Sequence, residues 1–308
     1  MGEFYAEHED SGRRTWAWLA VPLAWLFVFL AAQAAGFLGG LIGLQPSGAS
    51  GRWQDNIAGL FAWGLVLLIL WAWLRWREGR PLRGLGLPAR WGRFGISLLL
   101  GVVAVAMVVA AGVALGGFEI VHPGAWYDHL TPLWFLASSL TIVGTALQAV
   151  TMEALYRGWL TQTVARRWGM GLAILANAVT FTYIEAGDVT RGPEAMAGAV
   201  NLMLMAWLLS SMALRSGALW GACGLHAGWN LAMGLGFGLN IDGNHLNVTP
   251  MLLAVLPGLD APWWLTGGDF GPDGSLLVTV ALGVVLLVRS VGRKRRRRRD
   301  YDDDEVTD

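Results

Sequence analysis

The chain has 308 residues, of which 55% are apolar and 14% are charged, and its formal net charge is zero. Soluble domains carry roughly 25% charged residues, so this composition, with several apolar runs of bilayer length, excludes an ordinary soluble protein. We predict an all-α membrane protein, a polytopic bundle of about eight transmembrane helices. The single cysteine, Cys223, excludes an internal disulfide and a cysteine-based metal cluster, and we expect no cofactor.

The apolar runs, taken in chain order, define the predicted spans. The first begins near Thr15 and is too long for the apolar region of a cleavable signal peptide. The fourth is one extended helix of about 35 residues that protrudes past the bilayer, and Gly169 and Gly171 favour a turn after it. A polar region, 239–272, precedes the last span, and its apolar stretch from Met251 to Leu256 is too short to cross a membrane. The predicted spans are about 15–40, 56–74, 95–116, 133–168, 170–186, 195–213, 218–238 and 274–291.

The basic residues alternate between the two sides of the predicted bundle. Six arginines lie in the loop between Arg75 and Arg93, two lie at Arg166-Arg167, and eight basic residues lie between Arg289 and Arg299. The positive-inside rule therefore places both termini in the cytoplasm. This divides the chain into a cytoplasmic segment (1–14), a transmembrane bundle (15–291) and a cytoplasmic tail (292–308).

The tail is basic and then acidic. Its run from Arg293 to Arg299 directly follows a span and should attract anionic membrane lipid, by about 1 kcal/mol per residue near the surface. The acidic end, Asp302 to Glu305, partly opposes this attraction, and a solvated disordered tail is the plainer interpretation. Nothing in the basic segments resembles a nucleic-acid-binding module, so we expect no nucleic-acid partner.

Polar residues inside the apolar runs are the candidates for function. Glu153 and Arg157 are four residues apart, which places both side chains on one face of a helix. Each costs about 2.5 to 3.5 kcal/mol near the bilayer centre, so such residues usually face the bundle interior and pair. Later spans carry Glu185, His226 and Asn230. Counting along antiparallel helices places Glu153 and Glu185 at a similar depth, roughly 20–25 Å from the same turn.

These five residues have the chemistry for peptide hydrolysis by water. A carboxylate or an imidazole can take the proton from water, and an asparagine amide can stabilise an oxyanion. A structural polar network that joins helices is the alternative. A metal site is not expected, because His226 is the only histidine in any predicted span and catalytic zinc usually has three protein ligands.

Three short motifs resemble those of the CPBP family, which includes the CAAX proteases. Met152-Glu-Ala-Leu-Tyr-Arg-Gly158 is similar to the first motif, which has two adjacent glutamates, three spacers and an arginine. Phe181-Thr-Tyr-Ile-Glu185 lies where the family has phenylalanine, three spacers and histidine. His226-Ala-Gly-Trp-Asn230 matches the third motif fully. The resembling core covers about 133–238.

The resemblance implies an eight-helix intramembrane glutamic-type endopeptidase in a bacterial cell membrane, acting on a membrane-associated peptide or protein. It implies catalytic roles for Glu153, Arg157, His226 and Asn230. Two positions depart from the family: Met152 replaces its water-activating glutamate, and Glu185 replaces its second-motif histidine. Either the base has moved to Glu185, or the chain is a catalytically silent relative that serves as a scaffold, immunity or binding protein.

Overall fold

The computed structural model describes residues 14–43, 53–88, 91–123, 130–246 and 248–305. Nearly all of the predicted N-terminal segment 1–14 lies outside these ranges, as do the last three residues of the predicted tail. Within the described ranges the chain is a bundle of helices with one small sheet. The main helices are α1 (Ala17–Leu41), α2 (Trp53–Ala72), α3 (Gly92–Ala114), α4 (Pro132–Glu153), α5 (Thr161–Ala186), α6 (Pro193–Ser216), α7 (Trp220–Leu231) and α9 (Leu276–Glu305), and a single-turn α8 (Trp263–Thr266) precedes the last.

The all-α membrane architecture predicted from the sequence is confirmed. Five helical stretches in the described residues are long and apolar enough to cross a membrane, against eight predicted spans. The longest of the five, Pro132–Ala186, contains two predicted spans, because Gly169 breaks the helix with φ 80° and ψ 166°. Glycine adopts this positive φ without a steric penalty, which explains the turn at that position. The two remaining spans, α7 and the apolar part of α9, are short.

A two-stranded antiparallel sheet was not predicted. Strand β1 (Phe118–Pro123) pairs with β2 (Leu253–Pro257), with an irregular register between Ile120 and His122. The second strand occupies most of the apolar stretch that is too short to span. Because Gly258 donates its backbone N–H to the Gly117 carbonyl at 3.0 Å, the α3–β1 loop and the segment after β2 lie at the same end of the bundle.

Three π-helical segments continue helices in the described residues, at Trp73–Glu78, Ala154–Leu160 and Ala232–Gly236. Such wide turns are often found at functional sites, since they re-aim the side chains around them. The first ends at the buried Glu78, whose carboxylate accepts hydrogen bonds from Thr15, Trp159 and Arg80 at 2.6, 2.9 and 2.8 Å. This network joins α1, the end of α2 and the second π segment.

Helix α7 is the element that positions the candidate site, and it packs against α3 on one side and α4 on another. Glycines permit the close approach to α3. A Cβ atom on Gly101 would lie 2.6 Å from the Leu225 carbonyl oxygen, and Cβ atoms on Gly224 and Gly228 would collide with the backbone of α3. Small residues let helix backbones approach in this way in membranes. The close packing fixes the part of α7 that carries His226 and Asn230.

Candidate active site

Glu153 and Arg157 form the ion pair that their spacing predicts. Arg157 Nη1 donates to Glu153 Oε1 at 2.9 Å, and both side chains are fully buried. The arginine guanidinium also stacks over the ring of Phe181, 4.3 Å from its centroid. A guanidinium over an aromatic face gains a cation–π attraction that is larger when water is excluded. Charge and stacking together hold both groups in one position at the start of the second π segment.

His226 contacts the same carboxylate oxygen. Its Nδ1 lies 3.1 Å from Glu153 Oε1, although the two residues are 73 positions apart in the chain. An ionised carboxylate only accepts hydrogen bonds, so Nδ1 donates to Glu153 when that carboxylate is ionised. In the neutral imidazole the lone pair then lies on Nε2. The contact therefore leaves Nε2 as the basic nitrogen of His226.

A small cavity lies beside the imidazole. Its volume is about 20 Å³, and its polar lining consists of His226, Asn230, Asn201, Asp242 and Asp273, with Phe181, Leu202, Met205 and Trp229 as the apolar part. A cavity needs about 10–15 Å³ to hold one water molecule, which also requires two to four polar partners. This cavity meets both requirements for a water. It is too small for a peptide in this conformation.

The amide of Asn230 is positioned to bind something in that cavity. The residue is only 8% exposed, and its side chain makes no hydrogen bond to any residue that the structure describes. An amide that lines a cavity offers two N–H donors and one carbonyl acceptor to a protein group, a water or a ligand. An incoming carbonyl oxygen or a water would supply the missing partner.

Asp273 and Asp242 also line the cavity, and the sequence analysis missed both. Trp229 Nε1 donates to Asp273 Oδ1 at 3.0 Å, and Asn201 on α6 donates to the Asp273 backbone carbonyl at 2.7 Å. Burial raises the pKa of Asp273 to about 6, against the opposing effects of the Trp229 hydrogen bond and the His226 charge. Asp273 is therefore a fixed carboxyl group that titrates near neutral pH.

Asp242 is held in an unfavourable backbone conformation. Its φ of 49° is the only positive φ of a non-glycine residue in the described part of the chain, and its buried Oδ1 has no hydrogen-bond partner there. Burial raises the pKa of Asp242 well above its usual value, and the charges of Asp273 and Glu185 raise it further. Strained backbone persists where the surrounding structure over-determines it, often at functional sites. The neutral form of Asp242 is thus favoured beside the ionisable Asp273.

Glu185 and Met152 are not in the cavity lining. Glu185 is half-buried at the end of α5 and lies near enough to His226 and Arg157 for their charges to act on it, but no hydrogen bond joins it to either among the described residues. Met152 is fully buried in a core of apolar side chains. The role of Glu185 as the relocated base stays a prediction, because no hydrogen bond between Glu185 and His226 supports it in the described residues.

A larger cavity lies elsewhere in the molecule. It measures about 960 Å³ and is lined by Arg166, Arg167, Trp168, Glu78 and residues 14–18. None of the five predicted site residues lines it. Most of its lining comes from the beginning of α1 and from the part of α5 before Gly169. Size alone therefore does not locate the chemistry here, and we assign the candidate active site to the small cavity beside His226.

Part of the chain, including the five predicted site residues, matches a known protein family. Residues 130–232 match the family model described as Rce1-like, type II CAAX prenyl endopeptidase Rce1-like. This match supports assignment of the chain to the CPBP/CAAX protease family. No curated protein and no solved structure matches the chain at a significant level.

The family match covers all five predicted site residues: Glu153, Arg157, Glu185, His226 and Asn230. At the level of the family, the match supports a CAAX-protease-like intramembrane endopeptidase. Asp242 and Asp273 lie beyond the matched segment. In the sequence each is followed by a glycine, Asp242-Gly243 and Asp273-Gly274, which is typical of a turn. In the sequence alone, that pattern indicates turn residues and gives no sign that either aspartate belongs to a site.

Proposed function

We propose that this protein is an active intramembrane endopeptidase in which His226 activates water. The observation that carries the proposal is the shared cavity: His226, Asn230 and Asp273 line one water-sized space, and Glu153 binds the other nitrogen of the imidazole. Met152 removes the family's usual base, so another base is required. A carboxylate-bound histidine is the commonest general base in hydrolysis.

The proposed reaction begins with a water between His226 Nε2 and the scissile carbonyl of the peptide. Nε2 takes a proton as the water oxygen adds to the carbonyl carbon, and Glu153 stabilises the resulting imidazolium through Nδ1. Asn230 donates its amide N–H to the carbonyl oxygen, which becomes negatively charged. When the carbon–nitrogen bond breaks, the imidazolium returns the proton to the leaving amine. Arg157 is a positioning residue, since it acts through Glu153.

We assign to Asp273 the role of orienting the attacking water. Its carboxylate faces the same cavity and accepts from the water's second hydrogen, which orients the lone pair toward the peptide. Trp229 fixes the carboxylate at 3.0 Å, so its position does not depend on the substrate. Asp273 accepts a hydrogen bond from the water and does not take its proton, so its contribution is the orientation of the nucleophile, whose loss can cost about 10²-fold in rate.

The pH profile tests this assignment. Burial raises the pKa of Asp273 to about 6, and the groups facing it are His226, Trp229 and Asp242, the last also near Glu185. Because the ionised form is the one required, cleavage should rise as pH increases through about 6. Asp273→Asn should lower kcat/KM and remove the contribution of Asp273 to that limb of the profile. Asp269→Asn, an exposed aspartate four residues away, is the matched control, and an equal loss in both variants would contradict the assignment.

A catalytically silent family member that serves as a membrane scaffold, immunity or binding protein is the second candidate. The observation that favours it is the cavity volume of about 20 Å³, which does not admit a peptide. The active interpretation requires that helices around the cavity separate when a substrate binds. A binding protein without activity requires no such motion, and the same cleavage measurements separate the two.

We further propose that both termini are cytoplasmic in a bacterial cell membrane, and that anionic lipids contact the basic tail 292–308. A membrane-associated peptide or protein is the proposed substrate, and no nucleic acid is involved. The support for the orientation is the alternation of arginines along the sequence. In this orientation the loop at Gly79 is internal, whereas Gly117 and Gly268 are external.

Reporter fusions test the orientation. Fusions that end after Gly117 or Gly268 should give an extracytoplasmic signal, and a fusion after Gly79 a cytoplasmic one, because the arginines directly after the second span are retained inside. The measurement is paired activity of a reporter active only outside and one active only inside. An extracytoplasmic reading at Gly79 would refute the proposed orientation.

A further inference from the structure

A groove lined by three arginines lies at one end of the bundle, away from the candidate active site. It measures about 350 Å³ and forms where α3 and α7 begin, where α6 ends, and where the apolar part of α9 ends. The lining residues on which the argument rests are Arg93, Ile96, Ser97, Met212, Arg215 and Arg289. Three separate helices thus each contribute one guanidinium to a single concave surface.

The three positive charges have no counter-charge within the described protein. Arg93 Nη1 donates to the Ser216 carbonyl at 3.2 Å, and Arg215 Nη2 donates to the Arg289 carbonyl at 3.0 Å. Neither contact neutralises a charge, and no carboxylate in the described residues forms an ion pair with any of the three. The buried Nε of Arg289 has no hydrogen-bond partner there. Each guanidinium offers five N–H groups, so many donors remain for a ligand.

Like charges that line one groove repel one another, and the repulsion is relieved by an anion. The backbone contacts hold Arg93 and Arg215 in place, so the donors are oriented before a ligand arrives. A guanidinium fork matches the geometry of phosphate oxygens and binds them in pairs. The beginnings of α3 and α7 add the positive ends of two helix dipoles on the same side. The ligand chemistry that fits is a phosphate group.

The position of the groove indicates where that phosphate comes from. The arginines lie at the ends of membrane-spanning helices, which is the level of lipid headgroups. Ile96, in the same lining, is 65% exposed on the outer surface of α3 and offers apolar contact for an acyl chain. Basic pockets between helix ends on the cytoplasmic side are suited to anionic headgroups. A soluble phosphate would make no use of the apolar side of the groove.

We propose that this groove is a binding site for the phosphate of an anionic phospholipid. It differs from the basic tail, because Arg93 and Arg215 are far from the tail in sequence and because the groove holds one headgroup in a fixed geometry. It is also separate from the proposed site of peptide cleavage, since the groove and the cavity at His226 share no lining residue.

The test measures lipid binding to the full-length protein in a neutral detergent. Phosphatidylglycerol should raise the melting temperature and bind saturably, whereas phosphatidylcholine and inorganic phosphate at equal concentration should not. In the double variant Arg93→Gln/Arg215→Gln, affinity for phosphatidylglycerol should fall at least about tenfold, because two charge-assisted contacts are lost. The matched control is Arg75→Gln/Arg83→Gln, which removes two exposed arginines outside the groove and should keep wild-type affinity.

Three results would overturn the proposal. Undiminished phosphatidylglycerol binding by the groove variant would place the lipid elsewhere, such as at the tail. An equal response to inorganic phosphate would exclude the lipid as the source of the anion. No response of the wild-type protein to phosphatidylglycerol would exclude the site itself. Should the double variant fold poorly without lipid, the single variant Arg93→Gln, at an exposed position, decides between the same outcomes.

Discussion

Replacing His226 with alanine should lower kcat/KM for peptide cleavage by about 10²- to 10⁴-fold. The imidazole is the proposed base, and its contact with Glu153 Oε1 at 3.1 Å fixes which nitrogen faces the substrate. His226→Gln should show a similar loss, since glutamine keeps a donor for Glu153 but has no basic nitrogen. The measurement is cleavage of a prenylated CAAX-type peptide by protein reconstituted in liposomes, with melting temperature recorded for each variant.

The matched control for this experiment is His245→Ala. His245 is an exposed histidine in the loop after α7 and does not line the cavity. Its loss should leave kcat/KM within a factor of a few of the wild-type value. Equal activity in the His226 and His245 variants would mean that the imidazole at His226 does no chemistry, and the cavity would then be a structural network.

Replacing Arg157 with alanine should destabilise the protein by about 3 to 5 kcal/mol. Both partners of the Glu153–Arg157 pair are fully buried, so the variant leaves a carboxylate without its guanidinium in an apolar interior. The stacking of Arg157 on Phe181, at 4.3 Å, is lost as well. We expect poor expression or a much lower melting temperature in detergent, measured by thermal unfolding of purified protein.

Two further variants serve as controls for this second prediction. Arg167→Ala removes an exposed arginine ten residues after Arg157 and should change stability little. The double variant Glu153→Gln/Arg157→Gln removes both charges, and should be more stable than Arg157→Ala because no charge is left unpaired. A melting temperature of Arg157→Ala close to that of Arg167→Ala would mean that the buried pair does not support the fold.

The sequence predicted most of the bundle because its signals are local. Apolar run length located the spans, and the four-residue spacing placed Glu153 and Arg157 on one helical face. Gly169 lies at the break inside α5, where only a residue without a Cβ takes φ 80° easily. Each of these features depends on residues that are neighbours in the chain.

What the sequence did not predict depends on distant contacts. The strand pair β1–β2 joins residues between 130 and 139 positions apart, and neither strand has a strong pattern of its own. The contact between His226 and Glu153, and the placement of Asp242 and Asp273 in the cavity, require the packing of several helices and loops. In the sequence, an aspartate followed by a glycine indicates a turn. Only the tertiary structure shows that these two aspartates lie in the cavity beside His226.

The central claim is that water is activated at the cavity lined by His226, Asn230 and Asp273. Its most direct test is a single-turnover cleavage assay with a prenylated CAAX-type peptide in liposomes, run in parallel on wild type, His226→Gln and Asp273→Asn. We expect that wild type releases the peptide tail and that both variants lose at least about 100-fold in rate while remaining folded. Absence of cleavage by the folded wild-type protein, or undiminished cleavage by both variants, would contradict it.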